Sequence, residues 1–321
     1  MTNYIIRRLL LNVIVLLFVA SMVFIATRAL PGDYAQRRVV SNIGADITDQ
    51  REAIAYARKE LGLDRPLWRQ YIDYMAGLVT GDLGTSYETH RSTWVEVGTR
   101  VRSSLELGIA STAIAFALSL PIGVISAVRQ NDWVDNLLRG FAILGVAMPV
   151  FVVAIYLSLL VVKFSLFEID VVGRPHIWSE PGAAIKLYAI PAVSGGIAGG
   201  AGIMRILRSQ MLEVMRQDYI RTARAKGLKD RTVWMNHALK NAMLPVLTVM
   251  GFTISAIVAG QIILENMFNI DGVGRYLFQS LNTRDFPPFQ GLVLMIAVVV
   301  VTVNLGVDVV YAWLDPRIRY S

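Results

Sequence analysis

Cysteine is missing altogether. No disulfide, thiolate nucleophile or cysteine-held metal can form, and thiol usage says nothing about the redox compartment. Histidine is nearly absent: His90, His176 and His237 are the three present. They fall too far apart for a zinc site built on local spacing. Charged residues make up 17% of the 321, against about a quarter in soluble domains. Three marks of self-contained chemistry are also lacking. There is no G-x-x-x-x-G-K-S/T loop to cradle nucleotide phosphates and no H-E-x-x-H metal motif. No G-x-S-x-G elbow presents a serine nucleophile. The chain therefore reads as a non-enzyme. Its formal net charge is +7, yet no basic run is interleaved with stacking aromatics, so nucleic acid is not an expected partner.

What fills the space is apolar. Hydrophobic residues are 55% of the chain, and a bilayer-crossing helix needs about 20 in succession. Six segments qualify, at 9–29, 104–128, 137–162, 186–207, 244–265 and 289–314. The first follows Arg7 and Arg8 and outruns a signal-peptide core. No small-x-small cleavage site follows it, so an uncleaved first span is expected. In the fourth, Gly195 and Gly199 lie four apart, as do Gly196 and Gly200. Small residues at that spacing let helices approach closely; a flexible hinge is the other reading. Glu106, Glu265 and Asp308 lie near span ends, where acids serve as interfacial or paired groups more often than as a proton relay. The spans offer a solute a path without an evident means of energising it, which suggests an engine on another chain.

Basic residues in short loops mark the cytoplasmic side. Segment 205–240 carries Arg205, Arg208, Arg216, Arg221, Arg224, Lys226, Lys229, Arg231 and Lys240 against Glu213, Asp218 and Asp230. Segment 164–184 carries Arg174 against Glu168, Asp170 and Glu180. With six spans, both termini are then expected in the cytoplasm, and Arg317 and Arg319 in the tail agree. Segment 31–102 falls outside, with two amphipathic helices predicted. One has Asp49 as cap, Glu52 three residues on, and Gly62 as stop. The other starts at Pro66 and repeats Leu67, Tyr71, Tyr74, Met75 and Leu78 on one face. They are expected on the outer membrane face, as a cap over the bundle, a docking surface for an external partner, or both.

One short stretch stands apart. "DYIRTARAKGLKD", residues 218–230, is basic and alanine-rich between apolar runs. Asp218 can cap a helix, and Gly227 can take the left-handed conformation that ends one. Between them, Tyr219–Lys226 would extend about 12 Å at the helical rise. Lys226 suits the negative end of the helix dipole. Ala223 and Ala225 keep the helix thin, and Tyr219 and Ile220 supply apolar anchors. Two uses fit equally: a plug for a partner's cleft, or a basic helix lying on anionic lipid.

With "HALKNAMLPVLTV" (237–249), this stretch closely resembles the cytoplasmic loop of permease subunits of ABC importers. The group is the dipeptide, oligopeptide and nickel branch, inner-membrane components of binding-protein-dependent transport. The general loop reads E-A-A-x-x-x-G and then I-x-L-P. Aligned on Gly227, this chain has Arg221-Thr222-Ala223 in place of E-A-A, and a longer stretch to Leu244-Pro245. Both departures are typical of the peptide branch. "LPGD" (30–33), "LGLDRPLWRQY" (61–71), "GDLGTS" (81–86), "SQMLEVMRQDY" (209–219), "GVGRYL" (272–277) and "DPRIR" (315–319) extend the likeness over nearly the whole chain.

The resemblance implies an all-α membrane protein with the type I ABC importer fold, six transmembrane helices and cytoplasmic termini. Its parts would be 1–30, the first span; 31–102, extracytoplasmic; and 103–321, the core, with the coupling loop at about 208–243. Implied partners are a second homologous permease in a heterodimer, two ATP-binding cassette subunits, an extracytoplasmic solute-binding protein and membrane lipid. ATP and Mg would sit on the ATPase subunits, with no cofactor in this chain. Contact with those subunits falls to Tyr219, Ile220, Thr222, Ala223, Arg224, Ala225, Lys226, Gly227 and Leu228, with Ala223, Ala225 and Gly227 giving close approach. Gly251, Thr253, Ser255 and Gln261 on the fifth span are candidates for the translocation path, with helix packing as their other role. Peptides are the expected cargo; nickel chelates, glutathione and oligosaccharides are the alternatives within the group. Outside it, the competing reading is a self-sufficient secondary transporter.

Overall fold

The computed structural model describes residues 2–42, 47–168 and 176–314. Among them every regular element is a helix, and one isolated antiparallel bridge pairs Thr85 with Ser92. Asp170, Arg174, Arg317, Arg319 and the side chain of Asp308 lie outside the described residues.

The first apolar run forms α1 (Thr2–Ala29). Then come α2 (Tyr34–Asn42), which the sequence did not announce, and α3 (Ile47–Glu60). α3 starts ahead of Asp49, so that residue lies inside the first turn and not at its cap. Gly62 follows in left-handed backbone at φ 67. α4 (Leu67–Thr80) begins after Pro66 and closes on Gly81 at φ 81. α5 (Thr93–Val128) contains the second span but starts at Thr93 rather than 104. Hydropathy reports the bilayer-crossing part of a helix, and this helix continues beyond it.

The third span is not the single helix expected over 137–162. It is α6 (Trp133–Ala147) and α7 (Val150–Lys163), turned by 116° at Met148 and Pro149. Met148 is extended at ψ 127, because a proline ring clashes with helical backbone in the residue before it. Next are α8 (Pro181–Met215), α9 (Asp218–Ala225) and α10 (Asp230–Thr232). A π-helical stretch, Val233–Leu239, leads into α11 (Lys240–Met267). α12 (Val273–Thr283) and α13 (Phe286–Leu314) complete the series. Counting the bent pair once, six of the described segments are long and apolar enough to cross a bilayer.

The chain divides into two compact units, residues 1–102 with 271–299, and 103–270 with 300–321. Segment 271–299, which the sequence reading kept with the core, thus goes with the first unit. Directional polar contacts hold that unit together. Asp285 accepts from Ser86 Oγ at 2.5 Å and from the Tyr87 N–H at 2.9 Å. Burial pushes the Asp285 carboxyl above the usual range, against the pull of these donors. Arg100 pairs with Glu96 and Asp271 and lies over the Tyr276 ring.

The second unit is built around α8. In its most apolar stretch 67% is buried, so α8 is the central post of this unit. A Cβ on Gly196 would lie 2.5 Å from Ile114 Cγ2, and one on Gly200 would lie 2.9 Å from the Ala115 carbonyl oxygen. Gly199 faces α11 instead, where a Cβ would meet Thr253 Cγ2 at 3.0 Å. α8 runs unbroken through these glycines. Their spacing therefore serves close packing and not a hinge, as suits helices in lipid, where apolar tails compete with apolar side chains. Leu187, Leu264 and Phe268 anchor one apolar cluster, and Leu207, Met211 and Val246 another.

Candidate functional site

α9 sits on the second of those clusters. α8 ends at Met215, and Gln217 is extended at ψ 149. Asp218 is the first residue of the helix, not its cap, and makes no capping bond. The eight-residue length holds, shifted by one position. At the far end Gly227 takes φ 78. Its N–H donates to the Arg224 carbonyl at 2.9 Å, and the Leu228 N–H donates to that of Ala223 at 3.4 Å. These are the paired bonds of a Schellman closure, which satisfies carbonyls the helix would leave open.

Ile220 is fully buried and Ala223 is 8% exposed. Three residues apart, they share one helical face, and that face packs with Met211, Val233 and Ala238. Ile220 and Ala223, expected among the partner contacts, are buried here against their own chain and fasten α9 to it. Outward lie Tyr219, Arg221, Thr222, Arg224, Ala225, Lys226, Gly227 and Leu228, all exposed. Tyr219 is tied back at its hydroxyl, which accepts from Asn241 Nδ2 at 3.1 Å. A groove of about 540 Å³ opens beside α9, lined by Leu212, Met215, Arg216, Arg224, Asp230 and Trp234.

A buried ion pair lies deeper. Arg208 of α8 donates from Nε and Nη2 to the two carboxylate oxygens of Asp135 at 2.8 and 2.6 Å. Ser126 Oγ and the Asn131 N–H complete the shell at 2.5 and 2.9 Å. Asp135 is wholly buried. The planar fork of Arg fits both oxygens at once, so α8 is pinned to the start of α6 ten residues before α9 begins.

The four path candidates of the fifth span all lie against neighbouring helices or their own backbone. A Cβ on Gly251 would lie 2.3 Å from Val307 Cγ2, and Thr253 packs on Gly199. Ser255 donates to the Gly251 carbonyl at 3.3 Å. With its amide oriented to suit its neighbours, Gln261 donates to the Ser104 carbonyl at 3.2 Å and accepts from the Gly108 N–H at 2.8 Å. Glu265 is fully buried and accepts from Ser104 Oγ at 2.6 Å, while Glu106 accepts from the Ile177 N–H at 3.2 Å. Both acids are paired, as the reading of terminal acids expected. No group of three His, Asp or Glu side chains that could hold a metal ion occurs among the described residues.

A family model described as binding-protein-dependent transport system inner membrane component matches residues 119–320, the whole of this site included. Its companion for the N-terminal part matches residues 1–105. The chain belongs to this family. Full-length relatives agree. It is 38% identical over 345 residues to the dipeptide transport system permease protein DppB of Escherichia coli (strain K12). It is 37% identical over 340 residues to the protein of the same description from Alkalihalophilus pseudofirmus. It is 36% identical over 321 residues to the glutathione transport system permease protein GsiC of Salmonella typhimurium (strain LT2). Each alignment covers 100% of both chains.

For this inner-membrane transport component, sequence reasoning found α9 but missed what supports it. Arg208, one of the basic residues that mark the cytoplasmic side, is also Asp135's partner. The two lie 73 positions apart, so no local pattern joins them. The one available signal was an acid in the first turn of a mostly apolar helix. The π-helical stretch had no signal of its own.

Proposed function

We propose that this chain is the membrane-spanning permease of an ATP-driven importer of short peptides. It forms half of the translocation path, and a second homologous permease forms the rest. ATP and Mg belong to two ATPase subunits on the cytoplasmic side, and an extracytoplasmic solute-binding protein delivers the cargo. α9 is the contact with an ATPase. Tyr219, Thr222, Arg224, Ala225, Lys226, Gly227 and Leu228 supply its outer surface, and Ile220 and Ala223 hold it to the fold. Closure of the ATPases moves α9, and α8 carries that motion into the bundle to switch the path between inward- and outward-facing states.

One observation carries this reading: a capped eight-residue helix, fastened on one face and exposed and cationic on the other, in a chain without a phosphate-binding loop of its own. The peptide cargo is supported by the full-length likeness to dipeptide permeases. The likeness to a glutathione permease supports glutathione as a second reading of the cargo.

Ala225→Trp tests the coupling. Ala225 is exposed, so the bulky ring leaves the fold alone and obstructs only close approach from outside. The assembled complex is expected to lose substrate-stimulated ATP hydrolysis by roughly tenfold or more, with unchanged insertion and thermal stability. Retained stimulation overturns the assignment. Ala223→Arg is the poorer probe, because it forces a charge into the cluster beneath.

A further inference from the structure

α4 has three faces. Tyr71 and Tyr74 turn toward α1: the Tyr71 hydroxyl lies 2.8 Å from Ser21 Oγ. The Phe24 ring meets the rings of Tyr71 and Tyr74 at 5.3 and 5.6 Å. Arg69, Asp73 and Thr80 form an exposed polar face. The third face is apolar. Trp68, Ile72, Met75 and Val79 recur at the interval of a single helical stripe. Trp68 is 65% exposed, Ile72 55% and Val79 81%, and no residue of α4 is buried. The face the sequence suggested was Leu67, Tyr71, Tyr74, Met75 and Leu78; it centres on the inward side, and of its members only Met75 also belongs to this stripe.

We infer that α4 lies flat in the bilayer boundary, with Trp68, Ile72, Met75 and Val79 immersed among phospholipid acyl chains. Its 14 residues extend about 21 Å, short of the roughly 30 Å hydrocarbon layer, so the apolar face is not part of a span. The stripe adjoins one, however. α1 is mostly unburied, and the turns that hold α4 expose Met22 at 52% and Ile25 at 60%. Both helices of this packed pair thus carry exposed apolar side chains. Trp68 stands where an indole favours the polar–apolar boundary, and the neighbouring Arg69 reaches the phosphate level. With the orientation proposed above, the leaflet is the outer one. The occupant is lipid and not a second chain.

The absence of cysteine makes the test direct. Single cysteines placed along residues 67–80 carry nitroxide labels, and the complex, its partner thiols blocked, is assembled in phospholipid nanodiscs. Collision with oxygen should peak at positions 68, 72, 75 and 79, and collision with a water-soluble nickel chelate at 69, 73 and 80. Chelate access at the first set equal to that at the second overturns the inference. So does shielding of the first set from both reagents once the other permease or the binding protein is bound. As a check without labels, acyl-brominated phospholipid should quench the fluorescence of the native complex more than that of Trp68→Phe. Equal quenching overturns it as well.

Discussion

α4 and α9 each begin after an extended residue, Pro66 or Gln217, with no side-chain cap. Each ends on a left-handed glycine, Gly81 at φ 81 or Gly227 at φ 78. Each closes with the same pair of bonds: Gly81 to Leu78 and Asp82 to Gly77 in one, Gly227 to Arg224 and Leu228 to Ala223 in the other. Two inward residues hold each in place, Tyr71 and Tyr74 or Ile220 and Ala223. The difference lies outside. α4 presents Trp68, Ile72 and Val79, and α9 presents Arg221, Arg224 and Lys226. Backbone chemistry thus decides that a short helix forms and where it stops. The outward side chains decide what it meets.

The largest expected effect separates the supports of the two helices. Beneath α9, Asp135→Ala strands Arg208 as a buried charge, at a cost of about 3–5 kcal/mol. Beneath α4, Tyr71→Phe removes one hydroxyl contact, at about 1 kcal/mol. Thermal unfolding of the purified complex measures both, and equal losses would erase the contrast. Next come the glycines. Gly81→Val and Gly227→Val each place a β-branched residue in left-handed backbone, at roughly 1–2 kcal/mol. Only Gly227→Val should also suppress substrate-stimulated ATP hydrolysis; suppression by both would break the comparison. The smallest effect belongs to α4 alone. Burial pushes the Tyr74 phenol up to about 12 from an ordinary 10.0. Because the folded value is the higher one, its contribution to stability is intact below pH 10 and lost as pH rises toward 12. Melting temperature against pH should fall less steeply over that window in Tyr74→Phe.

Some of this was legible in the residues. Gly227 after an alanine-rich run signals a left-handed stop, and the stop is there. Asp218 was assigned one position off, because both a cap and a first-turn acid suit the positive end of a helix dipole. The fate of Ile220 and Ala223 was not legible. Periodicity shows that two residues share a face but not whether their own chain or another covers it. Proline was ambiguous for a similar reason. Pro121, Pro191 and Pro245 sit inside unbroken helices, whereas Pro149 divides one, and hydropathy scores the four alike. The Asp135–Arg208 pair depends on tertiary contact throughout.

That division at Pro149 reaches beyond topology. α6 and α7 have 15 and 14 residues, so each alone extends about 21–22 Å. Pro149 has no N–H to offer the Gly145 carbonyl, and the 116° turn carries neighbouring groups out of line. Hydrocarbon offers no donors, and an unmet backbone group there costs several kcal/mol. Protein or water must stand at this spot, and α8 supplies some of the protein: a Cβ on Gly145 would lie 2.8 Å from Ala201 Cβ. Where the bent pair crosses the bilayer, one ring-closed residue thereby draws a shoreline, a line across which acyl chains would leave backbone groups unmet.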